Sequence, residues 1–174
     1  MRLSFAAPNL RALDATGSEV LCCTKWRGRG DHDGVASLCD WRLSGGLSKV
    51  VRSGLFTGNF GDTLLVPGRP KLPCDKLLVF GAGEPGELDE TRFRTLLARM
   101  LGAIADLAAQ SVVIELPGRQ CELIAPELAA DVLLEALTAS GAKSERWTLV
   151  EDAVAQRRIE QHMVEERRRI RHAP

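Results

Sequence analysis

Apolar and polar positions alternate along this chain with two periods, and the two periods divide it into strands and helices. Residues 1–7 and 19–26 are rich in β-compatible side chains and read as the first two strands. A polar loop follows over residues 27–33, with Asp33 placed to cap a helix starting near Gly34, whose Val35 and Leu38 share one face. Gly45-Gly46 interrupts the helical pattern, and a second short helix carries Leu47, Val50 and Val51 to Gly54. Residues 63–66 form a short apolar run closed by Pro67-Gly68. Residues 76–80 contain the continuous run Leu77-Leu78-Val79-Phe80, the pattern of a strand buried on both faces.

Phe93, Leu96, Leu97, Met100, Leu101, Ile104 and Leu107 recur at three- and four-residue steps and predict an amphipathic helix capped by Asp89. The next strand spans residues 111–116 and stops at Pro117-Gly118. Pro126 then opens a helix whose buried face is Ala129, Val132, Leu133, Ala136 and Leu137, with Gly141 as its cap. Residues 146–150 are the last strand. Strands and helices alternating in this way predict an α/β domain with a mixed β-sheet sandwiched between helices. The two N-terminal strands, read as following each other with no helix between them, are the reason for expecting a mixed sheet.

The end of the chain changes character. Residues 151–171 are strongly charged and lack Gly and Pro, and Ala155, Ile159, Met163 and Ile170 fall on one narrow helical stripe. This divides the chain into an α/β domain over residues 1–150 and a charged C-terminal helix over 151–174. An isolated helix of that length is marginal in water, so the stripe needs a surface. That surface is the domain itself, a second copy, or a protein partner, and the four residues are the candidate interaction site. The tail arginines, among them Arg157, Arg158 and Arg167, are interleaved with Glu151, Asp152, Glu160, Glu165 and Glu166, which reads as a solvated face with internal ion pairs.

Composition narrows the classes. The 174 residues are 45% hydrophobic and 26% charged, with 23 basic and 23 acidic side chains. That suits one domain with a full core, excludes a disordered chain, and gives no general pull toward nucleic acid or an anionic membrane. Cys22, Cys23, Cys39, Cys74 and Cys121 have no paired metal-ligand spacing and read as reduced, small apolar side chains. The apolar run before Pro8 is too short for a signal peptide, and no stretch approaches the roughly 20 apolar residues of a membrane span. A cytoplasmic location is expected.

Three stretches carry a family resemblance. Asp40-Trp41-Arg42-Leu43-Ser44-Gly45-Gly46-Leu47-Ser48 with Arg52-Ser53-Gly54, then Gly58-Asn59-Phe60-Gly61-Asp62-Thr63-Leu64-Leu65, then Leu77-Leu78-Val79-Phe80-Gly81-Ala82-Gly83 with Leu88-Asp89, resemble in order and spacing the N-terminal domain of the leucyl aminopeptidases. The resemblance implies a macro-domain-like fold. It also implies a domain without catalytic residues, because in that family the two metal ions and the substrate lie in a separate C-terminal domain. The motifs of that second domain, including Asn-Thr-Asp-Ala-Glu-Gly-Arg, do not occur in this sequence. The function so implied is a non-catalytic assembly, scaffold or regulatory module. The alternatives are a macro-like domain binding ADP-ribose or another nucleotide, and a subunit of a split metalloaminopeptidase.

The remaining motifs are weak. Gly81-Ala82-Gly83-Glu84-Pro85-Gly86 has the GxGxxG form after a strand, but Pro85 and Gly86 delay the helix whose amides should meet a pyrophosphate. Gly45-Gly46 is a short glycine pair after a helix, better suited to a turn than to a phosphate cradle. Gly45, Gly46, Gly81 and Gly83 are therefore the only cofactor-binding candidates, and no cofactor is expected. Asp31-His32-Asp33 offers ligand types for a metal, but three adjacent side chains cannot easily face one ion, and no metal site is expected.

Overall fold

The computed structural model of the protein describes residues 2–28, 34–140 and 144–172. Six strands form one sheet: β1 (Arg2–Ala6), β2 (Ser18–Trp26), β3 (Thr63–Pro67), β4 (Cys74–Gly83), β5 (Ser111–Ile114) and β6 (Arg146–Val150). Their order is β1-β6-β5-β2-β4-β3. All neighbours are parallel except β3, which runs antiparallel to β4 at one edge.

The sheet is thus mixed as expected, but for a different reason. A helix, α1 (Leu10–Thr16), does connect β1 to β2, and those strands lie apart in the sheet. Its seven residues bury only Leu13, too little to register as a period. Its start is legible: Pro8 ends the strand and Asn9 caps the helix, its side chain accepting the Ala12 amide at 2.9 Å.

Helices α2 (Gly34–Arg42) and α3 (Gly46–Arg52) join α1 on one face of the sheet. There Val35, Ala36, Cys39 and Leu47 pack on Leu21, Cys23, Leu77, Val79 and Val113. Helices α4 (Glu90–Asp106), α5 (Pro126–Ser140) and α6 (Ala153–His172) cover the other face. The seam read from the sequence of α4 is buried from Phe93 to Ile104, and Asp89 caps it by accepting the Arg92 amide at 2.8 Å. Burying each such side chain contributes on the order of 1.5–3 kcal/mol. Cys22, Cys23, Cys39 and Cys74 are buried, and burial pushes their thiols up, so they pack as neutral apolar groups.

The charged helix α6 lies on α5. Ala155 and Ile159 are buried in the domain's own core and Met163 packs at its margin. Arg158 forms a bidentate pair with Glu127 at 2.7 and 2.9 Å, and His162 meets Asp131 at 2.8 Å. Among the described residues no helix is long and apolar enough to cross a membrane.

Candidate functional site

In open α/β sheets the crevice outside the carboxyl ends of the parallel strands is the usual place for a ligand. Here it is a polar cleft of about 240 Å³ where β1, β5, β6 and the start of α2 converge. The sheet sets its floor. Glu115 follows β5 and its amide still donates to the Cys22 carbonyl of β2, so its side chain is fixed at the strand end. Pro117-Gly118 then breaks the strand. Gly118 adopts φ 74°, and a Cβ there would stand 2.5 Å from Leu88 Cδ2, so the turn requires glycine. That turn delivers Arg119.

Arg119 and Glu151 make a buried, two-pronged ion pair across the cleft. Arg119 Nε donates to one Glu151 oxygen at 2.7 Å and Nη2 to the other at 3.0 Å, with side-chain exposures of 5% and 3%. Arg119 Nη1 donates to the Ile124 carbonyl, and the Glu151 carbonyl accepts Gln156 Nε2 at 2.7 Å. Burial raises the Glu151 carboxyl above its ordinary value, against the opposing pull of Arg119. The pair clamps the β5–α5 turn to the β6–α6 junction. Glu151 was expected on the solvated face of the tail; it is instead buried, before the helix begins, because β6 ends at Val150 inside the sheet.

The helix termini at this cleft are already capped by protein. The first free amides of a helix attract anions. At α2, Val35 N donates to Glu115 Oε1 at 3.0 Å. At α6, Val154 N and Ala155 N donate to Asp152 Oδ1 at 2.7 and 2.9 Å, and these bonds hold the Asp152 carboxyl below its usual range. The protein's own carboxylates therefore sit where a ligand phosphate would. Gly34, with φ 47°, allows this: a Cβ there would be 2.2 Å from Glu115 Oε1.

The glycines singled out by sequence lie elsewhere. Gly81 N donates to the Asp62 carbonyl at 2.8 Å and Gly83 N to the Gly58 carbonyl at 2.9 Å, so both amides are bonded to the loop over residues 58–62. A Cβ on Gly81 would lie 2.0 Å from the Asn59 carbonyl, which makes close backbone approach the reason for that glycine. The Gly-rich stretch continues into a single 3₁₀ turn, Pro85–Glu87, and α4 starts only at Glu90, as the delayed helix predicted. Gly45 N and Gly46 N donate to the Asp40 and Leu43 carbonyls at 2.9 and 3.2 Å within the α2–α3 turn, where Gly45 is left-handed.

Asp31-His32-Asp33, the expected cap at Asp33 and the expected cap at Gly141 lie outside the described residues. So do the side chains of Ile170 and the distal arginines, whereas Ala155 and Ile159 are buried against this domain's own core. Among the described residues no group of three or more His, Cys, Asp or Glu side chains could hold a metal ion. Glu115, Arg119 and Glu151 were not predicted as a unit. The signals available were a carboxylate ending an apolar strand and an arginine just after a strand-breaking Pro-Gly.

This strand order with helices on both faces places the chain in the macrodomain fold. It superposes on the Trypanosoma brucei macrodomain with a TM-score of 0.66 at 14% identity, covering 91% of this chain and 65% of that one. For the macrodomain of Mycobacterium tuberculosis DarG the TM-score is 0.63 at 16% identity, covering 87% and 99%. A tomato leucine aminopeptidase variant gives 0.62 at 15% identity, covering 93% of this chain and 35% of that one. At these identities the likeness speaks of fold alone.

Sequence then fixes the family. Residues 30–145 match the N-terminal domain of the cytosol aminopeptidase family, and the chain belongs to that family. It is 33% identical over 82 residues to a probable cytosol aminopeptidase of Azotobacter vinelandii, a match covering 47% of this chain and 16% of the relative. The cytosol aminopeptidase of Pseudomonas aeruginosa is 31% identical over 81 residues, with the same coverage of 47% and 16%. The chain therefore corresponds to a minor part of the curated relatives it matches.

Proposed function

We propose that this chain is a non-catalytic protein-interaction module of the cytosol aminopeptidase family, acting in the cytoplasm through assembly or regulation and not through nucleotide binding. The observation that carries this reading is the cleft at the strand ends. Its helix amides are capped by Glu115 and Asp152, and its centre is closed by the Arg119–Glu151 pair. A nucleotide phosphate entering there would face four carboxylates, Glu115, Glu122, Glu151 and Asp152, and would have to break a buried ion pair. A solved Trypanosoma brucei macrodomain is in complex with ADP, so the fold admits a nucleotide where its cleft allows one. The site chemistry here argues against it.

Exposed apolar groups support the interaction role. Trp41 on α2 is 71% exposed and Leu55, just after α3, is 84% exposed. Tryptophan is enriched among residues that dominate binding energy at protein interfaces. Native mass spectrometry of the purified chain, alone and mixed with a purified cytosol aminopeptidase from the same organism, tests the proposal. A defined self-assembly or mixed complex that weakens in Trp41→Ala is expected. A monomer that ignores the aminopeptidase refutes it, as does hydrolysis of a leucine amide by the pure chain.

A further inference from the structure

A second cleft lies at the opposite, amino ends of the strands, beneath α1, and its chemistry is the reverse of the first. It measures about 210 Å³, and its lining includes Arg2, Arg146 and the hydroxyl residues Ser4, Ser111 and Thr148. No carboxylate is among its described lining residues.

The sheet register puts these groups together. Arg2 on β1 and Arg146 on β6 are paired neighbours, and Arg146 is also the register partner of Ser111 on β5. Ser4 and Thr148 form the next pair along the same face, their hydroxyls 3.0 Å apart. That face carries a continuous apolar core over β5, β2 and β4 that reaches Val150 of β6, but at the amino ends of β1 and β6 it turns polar. Like charges directly across a strand pair repel, and here neither guanidinium is bonded to a carboxylate among the described residues. The Glu19 carboxylate, on β2, accepts the Gln110 amide at 3.0 Å.

A hydroxyl donor completes the set. Ser111 is buried, and its oxygen accepts the Glu19 amide at 3.1 Å, which leaves its own hydrogen to donate. Ser4 Oγ donates to the Trp147 carbonyl at 3.3 Å, so the buried Thr148 is the donor in its 3.0 Å contact with Ser4 and its hydrogen is already used. The carboxyl end of α1 at Thr16 is an unfavourable neighbour, but a helix of seven residues sets up only a weak opposing field.

We infer that the cleft between α1 and strands β1, β6 and β5 is a binding site for a small phosphate-bearing anion, held between Arg2 and Arg146 with the Ser111 hydroxyl beneath. Two guanidiniums and a hydroxyl donor suit the oxygens of a phosphate. The volume is below that of pockets for drug-sized ligands, which limits the ligand to inorganic phosphate or a small phosphomonoester. This site is independent of the cleft at the carboxyl ends and of the interaction role.

The test is a titration of the nitrogen-15-labelled chain with sodium phosphate, with sodium chloride at matched ionic strength as control. Saturable shifts of the Gly17, Ser18, Ser111 and Thr148 amides are expected. Both arginines are exposed, so Arg2→Gln and Arg146→Gln should keep the fold, and each should weaken the apparent affinity about tenfold or more, the effect of losing one charge-assisted hydrogen bond. Arg146→Lys should retain part of it. A parallel titration with glycerol phosphate identifies the source: tighter binding points to a phosphomonoester, equal binding to free phosphate, and both agree with the assignment. Shifts spread over all surface arginines, no saturation, or equal affinity in Arg146→Gln would overturn it.

Discussion

Replacing Arg119 with alanine should expose how much the clamp at the strand ends contributes. The substitution leaves Glu151 buried, 4% exposed, without its cation. It also removes the donor to the Ile124 carbonyl. Breaking a buried ion pair by deleting one partner costs about 3–5 kcal/mol, because the remaining charge is uncompensated. For a domain of this size each kcal/mol lowers Tm by roughly 2–4 °C, so a fall of about 6–20 °C is expected. The deficit should depend on pH. Burial already raises the Glu151 carboxyl, and losing Arg119 raises it further. A carboxyl whose folded pKa lies above its unfolded value favours the folded state fully below the unfolded value, about 4.3, and that contribution is lost as pH rises through the folded value. The variant should therefore be nearest to wild type around pH 4.5 and furthest from it at pH 8. Arg119→Met with Glu151→Leu should recover most of the loss, since an apolar pair of similar volume replaces the ions. Urea unfolding at several pH values is the assay. A deficit under about 1 kcal/mol at pH 8, or one that shrinks as pH rises, would refute the reasoning.

Other substitutions probe the same architecture. Ile159→Ala should cost about 2–5 kcal/mol in thermal or urea unfolding with particle mass unchanged, because α6 docks on its own domain. Asp152→Ala should cost about 1 kcal/mol through loss of the α6 cap, whereas Asp152→Asn should keep most of it. The Ala155 and Val154 amides depress the folded Asp152 pKa, so its contribution is present above the unfolded value and is lost as pH falls through the folded one. Stability profiles of wild type and Asp152→Asn should accordingly converge at low pH. Gly81→Ala should destabilise by more than the usual 1–3 kcal/mol of overpacking, since its Cβ would meet the Asn59 carbonyl at 2.0 Å, and a Tm within a degree of wild type would contradict this.

What the sequence revealed follows physical scale. The seam of α4, with six buried apolar residues at helical spacing, and the run Leu77-Leu78-Val79-Phe80 in β4 repeat their signal often enough to be read directly. The seven-residue α1 buries one side chain, too weak a period to separate it from a loop, and the sequence reading passes over it. The antiparallel edge strand β3 was visible as a strand, but its direction depends on tertiary pairing with β4. The delay after Gly83 was legible because proline and glycine act locally. The Arg119–Glu151 pair was not, because its partners stand 32 residues apart and only the sheet order brings their strand ends together. The same limit applies to the facing of Arg2 and Arg146, which arises from a register spanning nearly the whole chain.

The central claim is that the cleft at the carboxyl ends of the strands is closed by the protein's own charges. The most direct measurement is an amide-resolved titration of the labelled chain with ADP and with ADP-ribose. The account predicts no saturable shift at Val35, Glu115, Arg119 or Val154. Saturable shifts at those four amides with a low-micromolar Kd would contradict it and make this chain a nucleotide-binding domain.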